Sequence, residues 1–151
     1  MDSLRTLIDE RKALPGALLP ILHAIQDHLG YVPDEAVPLI AKALNQSRAE
    51  VHGVITYYRH FRRHPPGKHV MQICRAEACQ ANGSEALAAH AQAILGCDFH
   101  ATSSDGKVTL EPVYCLGHCA VGPNIQIDDD IHARIDAEAL SAFVQTLREA
   151  P

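Results

Sequence analysis

Four of the five cysteines in this 151-residue chain fall into two short motifs. Cys74 and Cys79 form a C-x₄-C motif, and Cys115 and Cys119 form a C-x₃-C motif. Thiolates are preferred ligands of zinc and of iron–sulfur clusters. The first residues lack the apolar core of an export signal, and disulfides are rare in the reducing cytosol. The two motifs therefore predict a metal or redox centre with sulfur ligands.

The spacing within the two motifs bears on which centre they hold. Structural zinc sites favour C-x₂-C, whereas the wider loops found here leave room for bridging sulfides and for N–H donors to them. The compact C-x₂-C-x₂-C run of [4Fe–4S] proteins is absent, as are a C-x-x-C dithiol motif and the second Cys-His pairing of a Rieske centre. Spacing thus favours a [2Fe–2S] cluster and leaves a zinc site open as the alternative.

Other residues whose types can bind metals or take part in redox reactions are not predicted to be ligands. Cys97 lies outside both motifs and is predicted to be a small buried hydrophobic residue. Arg75 and His118 each flank a cysteine and are candidates for tuning the charge around it, while the remaining histidines show no ligand spacing. Residues 128–130 are three adjacent aspartates, which are expected to form a solvated turn because no calcium loop surrounds them.

The first part of the chain has the apolar periodicity of helices. Gly30 is expected to end one helix and Asp34 to cap the next, while Ser47 and Glu50 have the form of a capping box. Apolar residues that recur every three or four positions predict helices over about 16–29, 34–45 and 47–58.

The rest of the chain alternates between strand and helix patterns. A strand is followed by a helix, a hairpin and a closing helix that Asp136 is expected to cap, which is typical of a thioredoxin-like α/β arrangement. The C-x₄-C motif then lies at the redox position, between the first strand and its helix. The strands are predicted at about 70–74, 99–103, 107–115, 124–127 and 131–135, with helices over 84–95 and after 136.

These patterns predict three parts of unequal size. Residues 1–62 form a helical bundle that serves partner docking, residues 63–68 form a linker, and residues 69–151 form the thioredoxin-like domain. The net charge of −5 and the absence of a long basic run disfavour nucleic-acid binding. No window reaches the roughly 20 apolar residues of a membrane span, so we expect a cytoplasmic protein without membrane contact of its own.

The two cysteine motifs, in this order, resemble those of the thioredoxin-like [2Fe–2S] subunit in the NADH-oxidising module of complex I. The resemblance covers almost the whole chain. Leu-Gly-Tyr-Val-Pro at 29–33 and Val-Ile-Thr-Tyr-Tyr at 54–58 are similar to the N-terminal bundle of that family. The resemblance implies one [2Fe–2S] cluster bound by Cys74, Cys79, Cys115 and Cys119.

Within that family, Cys-Arg-Ala-Glu-Ala-Cys-Gln at 74–80 looks closer to the gamma subunit of cytosolic, molybdenum-containing, NAD-dependent formate dehydrogenase. Complex I members more often carry a loop rich in Thr and Asn that ends in Pro-Cys, and the short N-terminus also favours formate dehydrogenase. The resemblance implies partners that bind flavin and NAD and partners that contain molybdenum, which together convert formate and NAD⁺ to CO₂ and NADH.

The implied role is electron transfer with the partner flavin, without a catalytic site in this chain, which lacks a G-x-G-x-x-G nucleotide motif. The equivalent subunits of complex I and of the diaphorase part of NAD-linked hydrogenases are alternatives. A zinc-stabilised adaptor protein is the alternative of another class.

Overall fold

The computed structural model describes residues 2–149 and divides the chain into two compact units, Met1–Pro65 and Pro66–Pro151. Each unit has its own hydrophobic core. The division falls inside the segment 63–68, which its Pro and Gly residues predict to be a linker. In the described part of the chain, no helix is long and apolar enough to cross a membrane.

The first unit consists of four helices, α1 to α4. Their core is formed by apolar residues at helical spacing, among them Ile21, Leu22 and Ile25, which are fully buried. The sequence predicted three of these helices and missed α1, which is short and buries only Leu4 and Ile8. The bounds are Asp2–Asp9, Leu18–Leu29, Ala36–Leu44 and Arg48–Tyr57.

The ends of these helices follow local sequence rules with one exception. Gly30 adopts a left-handed conformation, φ 82°, at the end of α2, and Ser47 and Glu50 form the predicted capping box of α4. The prediction that Asp34 caps α3 is wrong, because Glu35 holds the cap position without a side-chain bond. The Asp34 carboxylate instead accepts a hydrogen bond from Arg63 at 2.6 Å.

The second unit is a five-stranded sheet in the order β2-β3-β1-β4-β5. The central pair, β1 and β3, is parallel, and both edge hairpins are antiparallel. Strand β4 runs antiparallel to β1. The strands β1 to β5 span His69–Cys74, Ala101–Thr102, Val108–Val113, Ile125–Ile127 and Asp130–His132, and the helices α5 to α7 span Glu77–Ala81, Ser84–Leu95 and Ala137–Glu149.

The core of this unit lies between the sheet and the helices α6 and α7, which contact each other. Met71 and Ile73 of β1 are fully buried, as the two-residue period of a strand requires. Asp136 caps α7 as predicted, its carboxylate accepting from the Ala139 N–H at 2.8 Å. Cys97 is half-buried against this core, and burial raises the pKa of its thiol.

Three local features of the second unit differ from the sequence-based expectation. The short helix α5 inside the first cysteine motif was not predicted. The last strand ends at His132 rather than near residue 135. The turn at 128–130 is not merely solvated, because the Asp128 carboxylate accepts from the Val70 N–H at 2.8 Å and lies 2.7 Å from the His69 ring.

Candidate metal centre

The parallel pairing of β1 with β3 brings the two cysteine motifs to one edge of the sheet. Cys74 is the last residue of β1 and pairs with Val113, the last residue of β3. Cys115 follows Val113 by two residues, and the carboxyl ends of parallel strands lie at the same sheet edge. The short helix α5 also contacts the 3₁₀ turn Cys119–Val121. Two segments distant in sequence therefore meet here.

The thiols of the first motif are buried. Cys74 ends a core strand and Cys79 lies in α5, and each side chain is 1% exposed. Burial raises the pKa of the Cys79 thiol, and its hydrogen bond with Cys74 raises it further. Gly122 lies directly against Cys79, since a Cβ at that position would be 3.2 Å from the Cys79 Sγ. The first pair is thus enclosed on the protein side.

The thiols of the second motif are exposed. The Sγ atoms of Cys115 and Cys119 are 3.5 Å apart. The Gly117 N–H donates to the Cys115 Sγ at 3.3 Å and, together with the Cys119 thiol, lowers the pKa of Cys115. The pKa of Cys119 is raised, first by its hydrogen bond with Cys115 and in smaller part by the charge of Cys74.

The distance between the two exposed thiols can be compared with that of two sulfur ligands on one metal. Two thiolates on one tetrahedral metal, with bonds of about 2.3 Å, lie about 3.8 Å apart. The 3.5 Å between the Cys115 and Cys119 Sγ atoms is close to that value. The exposed pair therefore has the spacing of two thiolate ligands on one metal.

The two residues that flank cysteines do not direct their side chains at sulfur. The Arg75 guanidinium donates to both carboxylate oxygens of Glu85, at 3.0 and 2.7 Å, and lies over the Phe99 ring. The His118 ring contacts the Leu116 carbonyl oxygen at 3.2 Å. Both candidates for tuning are therefore engaged elsewhere in the structure.

Asn124 lies beside the cysteines, and the sequence patterns did not predict it as part of the site. Its side-chain amide Nδ2 lies 3.5 Å from the Cys79 Sγ and donates to the His118 carbonyl oxygen at 2.7 Å. A single asparagine at the start of a predicted strand carries no motif. Its position becomes evident only when β4 is paired with β1.

The chain is similar in sequence to a described protein family and to subunits of oxidoreductases. The sequence model of the family described as thioredoxin-like [2Fe-2S] ferredoxin matches residues 4–148. A subunit of NADH-quinone oxidoreductase from Pseudomonas aeruginosa is 34% identical over 129 residues, which are 85% of this chain and 78% of that protein. The Escherichia coli subunit of the same name is 36% identical with the same coverage. An NADH-quinone oxidoreductase subunit from Rhizobium meliloti is 35% identical over 134 residues, 89% of this chain and 80% of that protein.

A solved structure shares the fold. The NAD⁺-reducing [NiFe]-hydrogenase in the air-oxidized state matches with a TM-score of 0.73 and 20% identity, covering 91% of this chain. This chain spans 24% of the length of that hydrogenase chain. The thioredoxin-like fold and the cofactor predicted from the sequence, one [2Fe–2S] cluster, are confirmed. The chain belongs to the thioredoxin-like [2Fe–2S] ferredoxin family and is an electron-transfer protein.

Proposed function

We propose that this chain is the electron-transfer subunit of an NAD(H)-linked oxidoreductase complex, with its cluster bound by Cys74, Cys79, Cys115 and Cys119. The observation that carries the proposal is the meeting of two cysteine pairs at the carboxyl ends of the parallel strands β1 and β3. When bound, a [2Fe–2S] cluster supplies a one-electron carrier. The protein supplies four soft ligands and a fixed position for them.

The unequal exposure of the two pairs supports a role in exchange with a partner. Cys74 and Cys79 are buried in the fold, whereas Cys115 and Cys119 are exposed. The buried pair keeps water away on one side. The exposed pair leaves the other side open to a redox group held by another subunit.

We propose a flavin- and NAD-binding subunit as the direct partner. The names of the relatives, which are subunits of NADH-quinone oxidoreductase, and of the structural neighbour, an NAD⁺-reducing hydrogenase, support the NAD(H) end of this proposal. We assign a separate role to each part of the chain: residues 1–62 serve docking, residues 63–68 are a linker, and residues 69–151 hold the cluster. The complex is placed in the cytoplasm.

The proposed complex is NAD-dependent formate dehydrogenase, in which a molybdenum-containing partner oxidises formate to CO₂ and the flavin partner reduces NAD⁺ to NADH. The support is the resemblance of residues 74–80 to the gamma subunit of that enzyme. The relatives are named as subunits of NADH-quinone oxidoreductase and the structural neighbour as a hydrogenase, so the alternatives, complex I and a hydrogenase diaphorase, fit as well. Formate is therefore the substrate that the experiments must test.

The first experiment measures iron, acid-labile sulfide and zinc in the purified chain, together with its visible absorption. We expect a brown protein with about two irons per chain, as a [2Fe–2S] cluster requires. A colourless protein with stoichiometric zinc would replace the proposal with a zinc-stabilised adaptor.

The second experiment assigns the complex through its electron donors. Alone, the chain is expected to be reduced by neither NADH nor formate, because it lacks a nucleotide motif of its own. With the flavin partner, NADH should bleach the visible bands and produce a paramagnetic signal, and with the molybdenum partner also present, formate should do the same. Partners that respond to NADH and quinone but never to formate would assign the chain to complex I.

The third experiment tests whether the second unit binds the cluster and the helical bundle serves docking. A shortened chain starting at Lys68 retains all four cysteines and a complete core of its own, so it should bind the cluster. It should lose affinity for the flavin partner, because the docking bundle is missing. Assembly as tight as that of the full chain would show that the bundle does not serve docking.

A further inference from the structure

Asn124 is a buried polar residue that contacts both cysteine motifs. Its side chain is 1% exposed. Its backbone carbonyl oxygen accepts from the Cys74 N–H at 3.0 Å. Its Nδ2 donates to the His118 carbonyl oxygen, inside the second motif, at 2.7 Å and lies 3.5 Å from the Cys79 Sγ of the first. One residue therefore joins the strand end, the helix α5 and the loop between the exposed cysteines.

The orientation of the Asn124 amide is fixed by its surroundings. The His118 carbonyl can only accept, so the NH₂ group of Asn124 must face it. One N–H of that group is used there and the second is available to the Cys79 Sγ. Among residues 2–149, the Oδ1 atom has no hydrogen-bond partner although it is buried.

An asparagine at this position is not explained by packing alone. A leucine has the same number and branching of side-chain heavy atoms and would not leave a buried oxygen without a partner, which is a destabilising arrangement. The amide contributes what leucine cannot, namely two N–H donors directed at the cysteine motifs. Within the described part of the chain, Asn124 is also the residue outside both motifs whose side chain donates to one of their sulfur atoms.

We propose that Asn124 is a positioning residue that raises the reduction potential of the cluster through its N–H donor to the Cys79 sulfur. The proposal rests on the ligand assignment made under the proposed function. Reduction adds negative charge to the cluster and its sulfur ligands. An N–H donor to a ligand sulfur stabilises the more negative state more strongly, and so favours uptake of the electron.

The test is a potentiometric titration of the full-length chain, followed by electron paramagnetic resonance, for wild type, Asn124→Leu and Gln126→Leu. Gln126 is the matched control, since it is an amide two residues further along, in β4, whose Nε2 donates to the Asp128 carbonyl oxygen instead. Asn124→Leu should retain iron but show a more negative midpoint. A tenfold smaller equilibrium constant for reduction would correspond to about 59 mV in a one-electron couple. Gln126→Leu should keep the wild-type midpoint.

A second measurement covers the case in which Asn124→Leu does not retain the cluster. Wild-type chain carrying ¹⁵N in its asparagine side-chain amides should show a ¹⁵N coupling in pulsed resonance spectra of the reduced cluster. The other two asparagines are not the expected source of this coupling. Asn82 donates from its Nδ2 to the Ala78 carbonyl oxygen, and Asn45 lies in the helical unit.

The outcomes separate the two proposals. An iron-loaded Asn124→Leu with the wild-type midpoint overturns the role of Asn124 and leaves the ligand assignment intact. Loss of the cluster in Asn124→Leu, combined with no ¹⁵N coupling in wild type, also overturns it, because the residue would then be structural only. A wild-type chain that binds zinc and no iron overturns the proposed function and this inference together.

Discussion

The two cysteine pairs have the same ligand chemistry in opposite surroundings. Cys74 and Cys79 are each 1% exposed and lie in a core strand and in a helix. Cys115 and Cys119 are exposed and lie in a loop and a 3₁₀ turn. Burial raises the pKa of Cys79, whereas the Gly117 N–H lowers the pKa of Cys115.

This difference indicates how one site can be both stable and accessible. The buried pair is part of the fold, since its positions are set by strand pairing and by contacts such as that of Gly122 with the Cys79 Sγ. The exposed pair is held by local backbone geometry. Cys115 has φ 108°, which is rare for a residue other than glycine, and Gly117 has φ 82°. Changes at the buried pair should therefore affect folding, and changes at the exposed pair should affect the centre alone.

The largest expected effect comes from serine at the proposed ligands. Serine at Cys79 or at Cys115 should remove or destabilise the cluster, because a hydroxyl is a harder and less acidic ligand than a thiol. Cys79→Ser should also lower the free energy of unfolding of the cluster-free chain by about 1–3 kcal/mol, because it buries a polar hydroxyl. Cys115→Ser should leave that free energy unchanged. Iron analysis, visible spectra and urea unfolding measure these effects.

Cys97→Ala is the control for this comparison. Cys97 lies outside both motifs, and its Sγ contacts the Ala101 carbonyl oxygen at 3.8 Å. Its replacement should keep the iron content and the spectrum. An unchanged spectrum with about two irons per chain in Cys115→Ser would remove Cys115 from the proposed ligand set.

A smaller effect is expected from crowding the buried pair. In Gly122→Ala the new methyl group would lie 3.2 Å from the Cys79 Sγ and 3.5 Å from its Cα. Since Gly122 has φ −68°, the cost is steric and not a backbone strain. We expect a loss of about 1–3 kcal/mol in unfolding free energy, typical of overpacking, and weaker retention of iron.

The same substitution at Gly53 provides the control. Gly53 lies in α4, and a Cβ there would meet no atom within 4 Å. Gly53→Ala should stabilise the chain by about 0.5–1 kcal/mol through helix propensity. Equal effects of the two substitutions would show that Gly122 is not required for the fit of Cys79.

Sequence spacing was sufficient to identify the cysteine motifs but not their surroundings. The motifs could be found because four thiols in two short motifs are rare without a metal or redox centre, and strand patterns placed the first motif directly after the first predicted strand. The role of Asn124 depends on the pairing of β4 with β1, which brings residues far apart in sequence together. The short helix α5 was missed because Glu77–Ala81 is too short to show a helical period.

Errors in the helical unit have a similar cause. Asp34 has the residue type of a helix cap, yet in the fold its carboxylate pairs with Arg63, which is distant in sequence. That long-range ion pair competes with the local capping role, and sequence patterns record only the local one. By contrast, the Ser47 and Glu50 capping box is entirely local and was predicted correctly.

The reactivity of the thiols in the cluster-free chain should follow the same difference. The thiolate is the nucleophile, so a lowered pKa allows Cys115 to react at lower pH than an ordinary cysteine, whereas burial and a raised pKa protect Cys79. Alkylation with iodoacetamide between pH 6 and 9, followed by mass spectrometry, should modify Cys115 at least about tenfold faster than Cys79. Faster modification of Cys79 would mean that the first pair is not enclosed without the cluster.

The smallest expected effect concerns the charge beside the buried pair. Arg75 follows Cys74 directly, and Glu85 neutralises its guanidinium through two hydrogen bonds. Glu85→Gln should leave this positive charge uncompensated. A positive charge near the cluster stabilises its reduced state, so the midpoint potential should shift slightly to more positive values.

Salt dependence identifies the origin of this shift. The ion pair is partly exposed, so dissolved ions screen its charges. Raising the ionic strength from about 0.01 M to 1 M shortens the screening length from about 30 Å to 3 Å. This change should remove most of the difference in midpoint potential between Glu85→Gln and wild type. Arg148→Gln is the control, because it breaks an ion pair with Asp105 in the turn before β3, at the sheet edge away from the cysteines. Its midpoint should equal that of wild type. A Glu85→Gln shift that persists in high salt would instead indicate that Arg75 has moved into direct contact with a ligand sulfur.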